Sequence, residues 1–265
     1  MRSSLKLAVI AALIMMVMVG CKQDAHRTDL KATPQPPSGT EAVLEQLDTF
    51  LAEGGQPDRG SVIEGYHALN DLFDQMKDQE DEGYLFSPEE LHEIAQLGVG
   101  LPVEQAWDVI HQEMLRRHPG KILETPRWTF NSAGTAFCQI AIVYASTKEY
   151  VAYFGTPIGA EGFSGRYSAD VWDLMVDGEM WTYVPGQFEP TVYLAGDLAY
   201  LPRDGGKGVQ YVDHAWMIDY GRGDIITMFP FGVIAPAMFT TLDYTSAWEQ
   251  FVDFGKAVIR NFLNP

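Results

Sequence analysis

An α+β fold is predicted by three features of the sequence. The first part of the chain carries apolar residues at helical spacing. Residues 128–229 then become glycine-rich, with β-favouring runs such as Ile140-Ala141-Ile142-Val143-Tyr144 and Thr191-Val192-Tyr193-Leu194. Turn signals at Pro185-Gly186 and Asp204-Gly205-Gly206 separate such runs, and a helical apolar stripe returns after Pro230. Several short strands in succession indicate an antiparallel barrel or sandwich held between helical ends.

The elements follow in order. Arg2 and Lys6 precede an uncharged apolar run, residues 7–20, that ends in Met18-Val19-Gly20-Cys21. Residues 1–21 therefore read as an export signal. They resemble a bacterial lipoprotein signal, in which cleavage leaves Cys21 as the lipid-bearing first residue on the periplasmic side. Met18 stands where that pattern usually has leucine. The alternative is a short uncleaved anchor, and both readings tether the chain to a membrane. Residues 22–40, with Pro34, Pro36, Pro37 and Ser38-Gly39, form a linker.

A helical extension occupies 41–102. Its first helix carries Val43, Leu44, Leu47, Phe50 and Leu51. The second opens on a Ser61/Glu64 capping box, and the third on Ser87-Pro88-Glu89-Glu90. A fourth helix carries Val103, Trp107, Ile110 and Met114 and stops after Arg116-Arg117 at Pro119-Gly120. At the far end, Trp248, Phe251, Val252, Val258, Ile259 and Phe262 share one helix face. The uncharged stretch before it, 226–242, either packs on the strands or lies on a membrane surface.

Composition narrows the function. With 46% hydrophobic and 12% aromatic residues the chain is globular, and 36 acidic against 18 basic residues give a net charge of −18. That balance argues against nucleic acid as a partner. Two cysteines exclude a large disulfide or zinc framework. If Cys21 carries lipid, Cys138 is a buried free thiol. Of six histidines only His214 falls among the strands, so no metal is expected, and no phosphate loop or nucleophile elbow marks a cofactor or acyl-transfer site.

The sharpest local question is Asp219, an acid inside the strand-like run His214-Ala215-Trp216-Met217-Ile218-Asp219-Tyr220 before Gly221-Arg222-Gly223. An ionised carboxylate there is costly unless it faces water or has a task. This block, together with Trp128-Thr129-Phe130, Ala133-Gly134, 146–150, Phe154-Gly155-Thr156 and Ser164-Gly165-Arg166-Tyr167, resembles the family of the fungal C-8 sterol isomerase and the animal sigma-1 receptor. The resemblance runs from about Val103 to the C-terminus. It implies a cupin-like antiparallel β-barrel, with N-terminal helices before it and C-terminal helices flanking its mouth on a membrane surface, assembled as a homotrimer. The domain 103–265 would then hold a barrel over about 128–229 and membrane-associated helices over about 230–265.

The resemblance also implies the site. The family's ligand-binding glutamate falls at Asp219. A second acid falls at Asp170, or at Asp173 as in the receptor; strand alternation turns at most one of these two inward. Asp219 and Asp170 are the candidate catalytic acids for moving a sterol double bond. Tyr150 is expected to donate a hydrogen bond to an inward carboxylate. Trp172, Trp216 and Tyr150 could favour a carbocation, and Phe163 stands where the family often has histidine. Asp173 is otherwise a salt-bridging residue, with Arg166 as a candidate partner. Glu149 and Arg222 read as structural. The expected ligand is a sterol-like lipid, without cofactor; the alternative is a hydrophobic amine held without turnover.

Overall fold

The computed structural model describes residues 55–76 and 83–263. The signal, Cys21, the linker and the first expected helix lie outside the described residues. Among the described residues three helices precede the sheet: α1 (Arg59–Met76), α2 (Pro88–Gln96) and α3 (Val103–Arg117). Eight strands follow: β1 (Trp128–Ala133), β2 (Ala136–Ala145), β3 (Glu149–Thr156), β4 (Ala160–Phe163), β5 (Ala169–Tyr183), β6 (Thr191–Leu194), β7 (Leu198–Leu201) and β8 (Gly208–Gly223). The chain ends in a 3₁₀ turn (Ile225–Met228), a π turn (Pro230–Ile234), α4 (Ala235–Phe239) and α5 (Tyr244–Leu263).

The caps explain where the N-terminal helices begin. Ser87 accepts from the Glu90 amide at 3.0 Å and Pro88 follows at the first helical position, as its sequence predicts. α1 departs from expectation. It starts before Ser61, because Asp58 Oδ1 takes the Ser61 amide at 2.9 Å while Ser61 Oγ accepts from the Asp58 amide at 3.1 Å. The aspartate, not the serine, opens that helix.

All strand pairs are antiparallel, in the order β1-β2-β3-β8-β5-β6, with β4 added to β8 and β7 to β5. The expected cupin-like antiparallel sheet between helical ends is present, and among the described residues its strand path does not close. β5 and β8, 15 and 16 residues long, run side by side through its middle. Their register shifts at Met175/Asp177 and Gly178/Glu179, a bulged region that bends both strands.

The helices cover the two faces of this sheet differently. On one face α2 and α3 bury Ile94, Ala106, Ile110 and Met114 against Val143, Tyr153, Leu174 and Ile218. On the other, α1, the turns and α5 bury Phe229, Phe251, Phe254 and Val258 against Ile140, Ile142 and Tyr150. α5 is pinned to the start of β1 by Arg127, which meets both oxygens of Asp253 at 2.7 and 3.0 Å. The C-terminal helix thus packs on the sheet, and no helix among the described residues is long and apolar enough to cross a membrane.

Candidate functional site

Between the curled sheet and the segment Ile225 to Phe254 lies a cavity of about 140 Å³. β8 sets its chemistry through register. Asp219 pairs directly with Asp173 on β5 and with Ala152 on β3, and two residues along, Gly221 pairs with Val171 and Tyr150. Because residues i and i+2 share a face, Gly221 lies on the same face as Val171, Asp173 and Asp219, which line the cavity.

Glycine at 221 has a definite use. A Cβ there would lie 2.3 Å from the Tyr150 ring, so its absence lets that ring lie across β8. The phenol then reaches the neighbouring acid, donating to Asp219 Oδ2 at 3.0 Å and Oδ1 at 3.1 Å. Gly221→Ala is therefore expected to displace Tyr150 and to cost about 1–3 kcal/mol of stability, the usual penalty of overpacking. A denaturant midpoint equal to that of the parent protein would contradict this packing.

A third charge completes the group. Lys207 Nζ lies 2.6 Å from Asp173 Oδ2, and both residues are 8% exposed. The backbone of Lys207 is fixed by reciprocal bonds with Ser164: its amide donates to Ser164 Oγ at 3.0 Å and its carbonyl accepts the Ser164 amide at 2.9 Å. Two carboxyl groups and one ammonium thus share a cavity otherwise walled by groups such as Ile140, Phe154, Val209, Tyr211, Phe229 and Phe254.

The electrostatics follow from this arrangement. Burial, reinforced by the neighbouring Asp173 charge, pushes the Asp219 carboxyl up to about 8, against smaller opposing effects of the Tyr150 hydrogen bond and the Lys207 ammonium. Asp219 is therefore the acid biased toward its protonated form near neutrality, and Asp173 is the one that meets Lys207. Burial, then Asp219, also drives the Tyr150 phenol well above its usual range, so it acts as a donor.

The predicted residues divide cleanly. Asp219, Tyr150, Asp173 and Phe163 line the cavity, Phe163 at its more exposed side against the edge of Phe231. Asp170 does not. It points to the other face of β5, accepts from Tyr200 Oη at 2.7 Å and the Arg203 amide at 3.0 Å, and the Tyr200 bond holds it below the usual carboxylate range. Of the two acids the sequence left open, the one that faces the cavity opposite Asp219 is Asp173 and not Asp170, and the partner of Asp173 is Lys207 rather than Arg166, which donates to the Asp204 carbonyl.

Two tryptophans also fall outside the site. Trp172 stacks between Tyr200 and Tyr220, and Trp216 packs edge-on against Trp107 and Trp128 beneath α3. Both sit on the sheet face away from the cavity, at even positions where Asp173 and Asp219 hold odd ones, so neither can stabilise a cation there. Lys207 was not singled out from the sequence. Its signal was present, since Lys207, Val209 and Tyr211 alternate along one inward face.

Glu149, another buried acid, belongs to a different network. It accepts from the Leu85 amide at 2.6 Å and from Tyr220 Oη at 2.9 Å, while Arg222 donates to Tyr220 and to the Phe86 carbonyl. This network fastens the chain before α2 to the outer face of the sheet, the structural part expected of Glu149 and Arg222. Cys138 is buried and free, its thiol pushed up to about 12 by burial. No histidine is among the residues lining the cavity, and no described cluster of three or more His, Cys, Asp or Glu is placed to hold a metal.

The chain is similar to several known proteins. The chain is 35% identical over 173 residues to a protein erg2 homolog of Dictyostelium discoideum, covering 65% of this chain and 74% of that one. It is 34% identical over 185 residues to a C-8 sterol isomerase of Pyricularia oryzae, covering 68% and 83%. To the sigma non-opioid intracellular receptor 1 of Xenopus tropicalis it is 32% identical over 178 residues, covering 66% and 80%. A cupin superfamily protein of Desulfitobacterium hafniense aligns with 33% of this chain and 78% of its own, at 14% identity and a TM-score of 0.30. The family model described as ERG2 and Sigma1 receptor like protein matches residues 65–265, upstream of Val103 as well as beyond it, and the chain belongs to that family.

Proposed function

We propose that the protein shifts a carbon–carbon double bond in a sterol or a related polycyclic isoprenoid, by proton transfer within the Asp219–Asp173 pair. The observation that carries this reading is the pair itself: two carboxyls set directly opposite each other in an apolar cavity, Asp219 pushed up to about 8 by burial and Asp173 held by Lys207. Two carboxyls with separated protonation states are what acid and base roles require. The relatives named C-8 sterol isomerase support the substrate class.

For an 8(9)-unsaturated sterol the steps balance simply. Asp219 gives its proton to C9, the alkene electron pair forms the new C–H bond, and positive charge appears at C8. A proton then leaves C7 for the Asp173 carboxylate, and the electrons of that C–H bond close the 7(8) double bond. Exchange with solvent restores both acids. Each transfer by a positioned group is worth about 10²–10⁴-fold.

Ligand size bears on how the cavity works. A cavity of about 150 Å³ admits benzene, and the space here is about 140 Å³. A sterol enters only as the cover supplied by Ile225, Met228, Phe229 and Val233 moves aside. That cover is built of a 3₁₀ turn and a π turn, whose hydrogen bonding is weaker than that of a regular helix. Beside it, Phe130, Phe137, Phe239 and Leu242 are exposed, and Phe130 stacks on Phe137. This apolar surface supports a seat on a membrane, from which a lipid would reach the cavity.

The test uses the purified full chain with an 8(9)-unsaturated sterol in deuterated buffer. The expected product is the 7(8) isomer carrying deuterium at C9. Saturable binding of sterol or of a hydrophobic amine without any product would replace the isomerase with a binding protein on the same fold.

A further inference from the structure

The cavity wall is polar at a second place, apart from the acids. Asn131 on β1 and Gln250 on α5 both line the cavity, and both are buried. Buried amides are costly unless hydrogen-bonded, and these two are joined in a single direction. Gln250 Nε2 donates to the Phe130 carbonyl at 2.9 Å. Asn131 Nδ2 donates to Gln250 Oε1 at 3.2 Å and to the Gly232 carbonyl at 3.3 Å. Backbone carbonyls only accept, so the orientation of both amides is fixed. What is left over is Asn131 Oδ1. It accepts no hydrogen bond among the described residues, yet it is not sealed in protein and meets open space at the cavity wall.

We infer that Asn131 is a specificity-determining residue whose amide oxygen accepts the hydroxyl of the lipid, so that the cavity selects an alcohol over an ether or ketone of the same ring skeleton. The inference rests on the reading of the cavity as a sterol site. A sterol carries its hydroxyl on the ring at one end, away from its 8(9) double bond. With that double bond at Asp219 and Asp173, the hydroxyl lies elsewhere in the cavity. Asn131 stands three strands from Asp219 in the order β1-β2-β3-β8, about 14 Å measured around the sheet and less across its curl. A ketone or ether oxygen sets a second acceptor against Oδ1 and leaves both without a donor. Gln250 acts through Asn131, as a positioning residue that holds the direction of its amide.

Three ligands of one skeleton test this: an 8(9)-unsaturated 3-hydroxysterol, its 3-methyl ether and its 3-ketone. Dissociation constants are read by fluorescence or calorimetric titration of the full chain. The parent protein should bind the alcohol at least about tenfold tighter than either analogue, the worth of a hydrogen bond whose loss leaves a buried acceptor unmet. Asn131→Leu, of nearly the same shape, should bring that ratio close to one. If Asn131→Leu does not fold, Gln250→Leu takes its place: it keeps Asn131 but removes the carbonyl that orients it, and the ratio should fall there too.

The outcomes are distinct. A parent protein that binds all three alike, or a variant in which all three weaken together with the ratio kept, overturns the role of Asn131 and leaves the sterol site standing. Binding of none of the three overturns that role together with the reading of the cavity.

Discussion

Replacing Asp219 with asparagine is expected to lower the rate of double-bond migration by about 10²–10⁴-fold, the worth of one positioned proton donor, while leaving sterol binding near its parent value. The amide can still accept the Tyr150 hydroxyl that now reaches both carboxyl oxygens, so the shape of the cavity should persist. Stability should move the other way. The Asp219 carboxyl lies at about 8 in the fold and at 3.8 when unperturbed. The folded state therefore holds this proton where the unfolded state has lost it, and stability falls as pH rises from about 3.8 through about 8. Asparagine removes that slope. The variant should be more stable than the parent at pH 9 and gain little at pH 4, as read from urea midpoints at the two pH values. A parent protein with no loss of stability across that window would contradict the upward shift of the Asp219 carboxyl.

Asp173→Asn is the second large effect, and its direction is diagnostic. After burial, the Asp173 charge is the largest influence raising Asp219, so its removal should bring the Asp219 carboxyl below about 8. Lys207, deprived of its partner at 2.6 Å, can turn only toward Asp219 for a carboxylate, which lowers that group further. In the parent, activity should decline as pH rises through about 8, when Asp219 loses the proton it must donate. In the variant that decline should begin at lower pH, and the maximum rate should fall by about 10²–10⁴-fold for loss of the base. Breaking a buried ion pair costs about 3–5 kcal/mol, and the proximity of Asp219 to Lys207 should recover part of it. A pH–rate profile with an unmoved basic limb would show that the two acids do not share the chemistry.

Local signals made much of the fold legible. Ser87-Pro88 marked the start of α2 and Arg116-Arg117 the end of α3, because caps and helix-end charges act within one turn. The site was legible only in part. Alternation along β5 established that Asp170 and Asp173 face opposite ways, yet nothing local says which face meets the cavity. That is decided by pairing with β8, a long-range fact, which sets Asp173 opposite Asp219 and leaves Asp170 with Tyr200. The same parity carries Trp172 outward with Asp170. Trp216, an even neighbour of Asp219, is carried outward to Trp107 on α3. Lys207 was hidden by its flanking glycines, which read as a turn; the alternation it shares with Val209 and Tyr211 becomes informative once those two are known to point inward. The cupin-like sheet was carried by the resemblance; that its path stays open among the described residues, with helical turns lining the cavity, is set by long-range pairing.

Infrared difference spectroscopy of the full chain across a pH titration tests the central claim most directly, using Asp219→Asn to assign the signal. The account predicts a protonated carboxyl stretch, absent from the variant, that persists at pH 7 and disappears through about pH 8. A parent spectrum in which the variant-sensitive carboxyl is already fully ionised at pH 6 would contradict it, and with it the assignment of Asp219 as the proton donor.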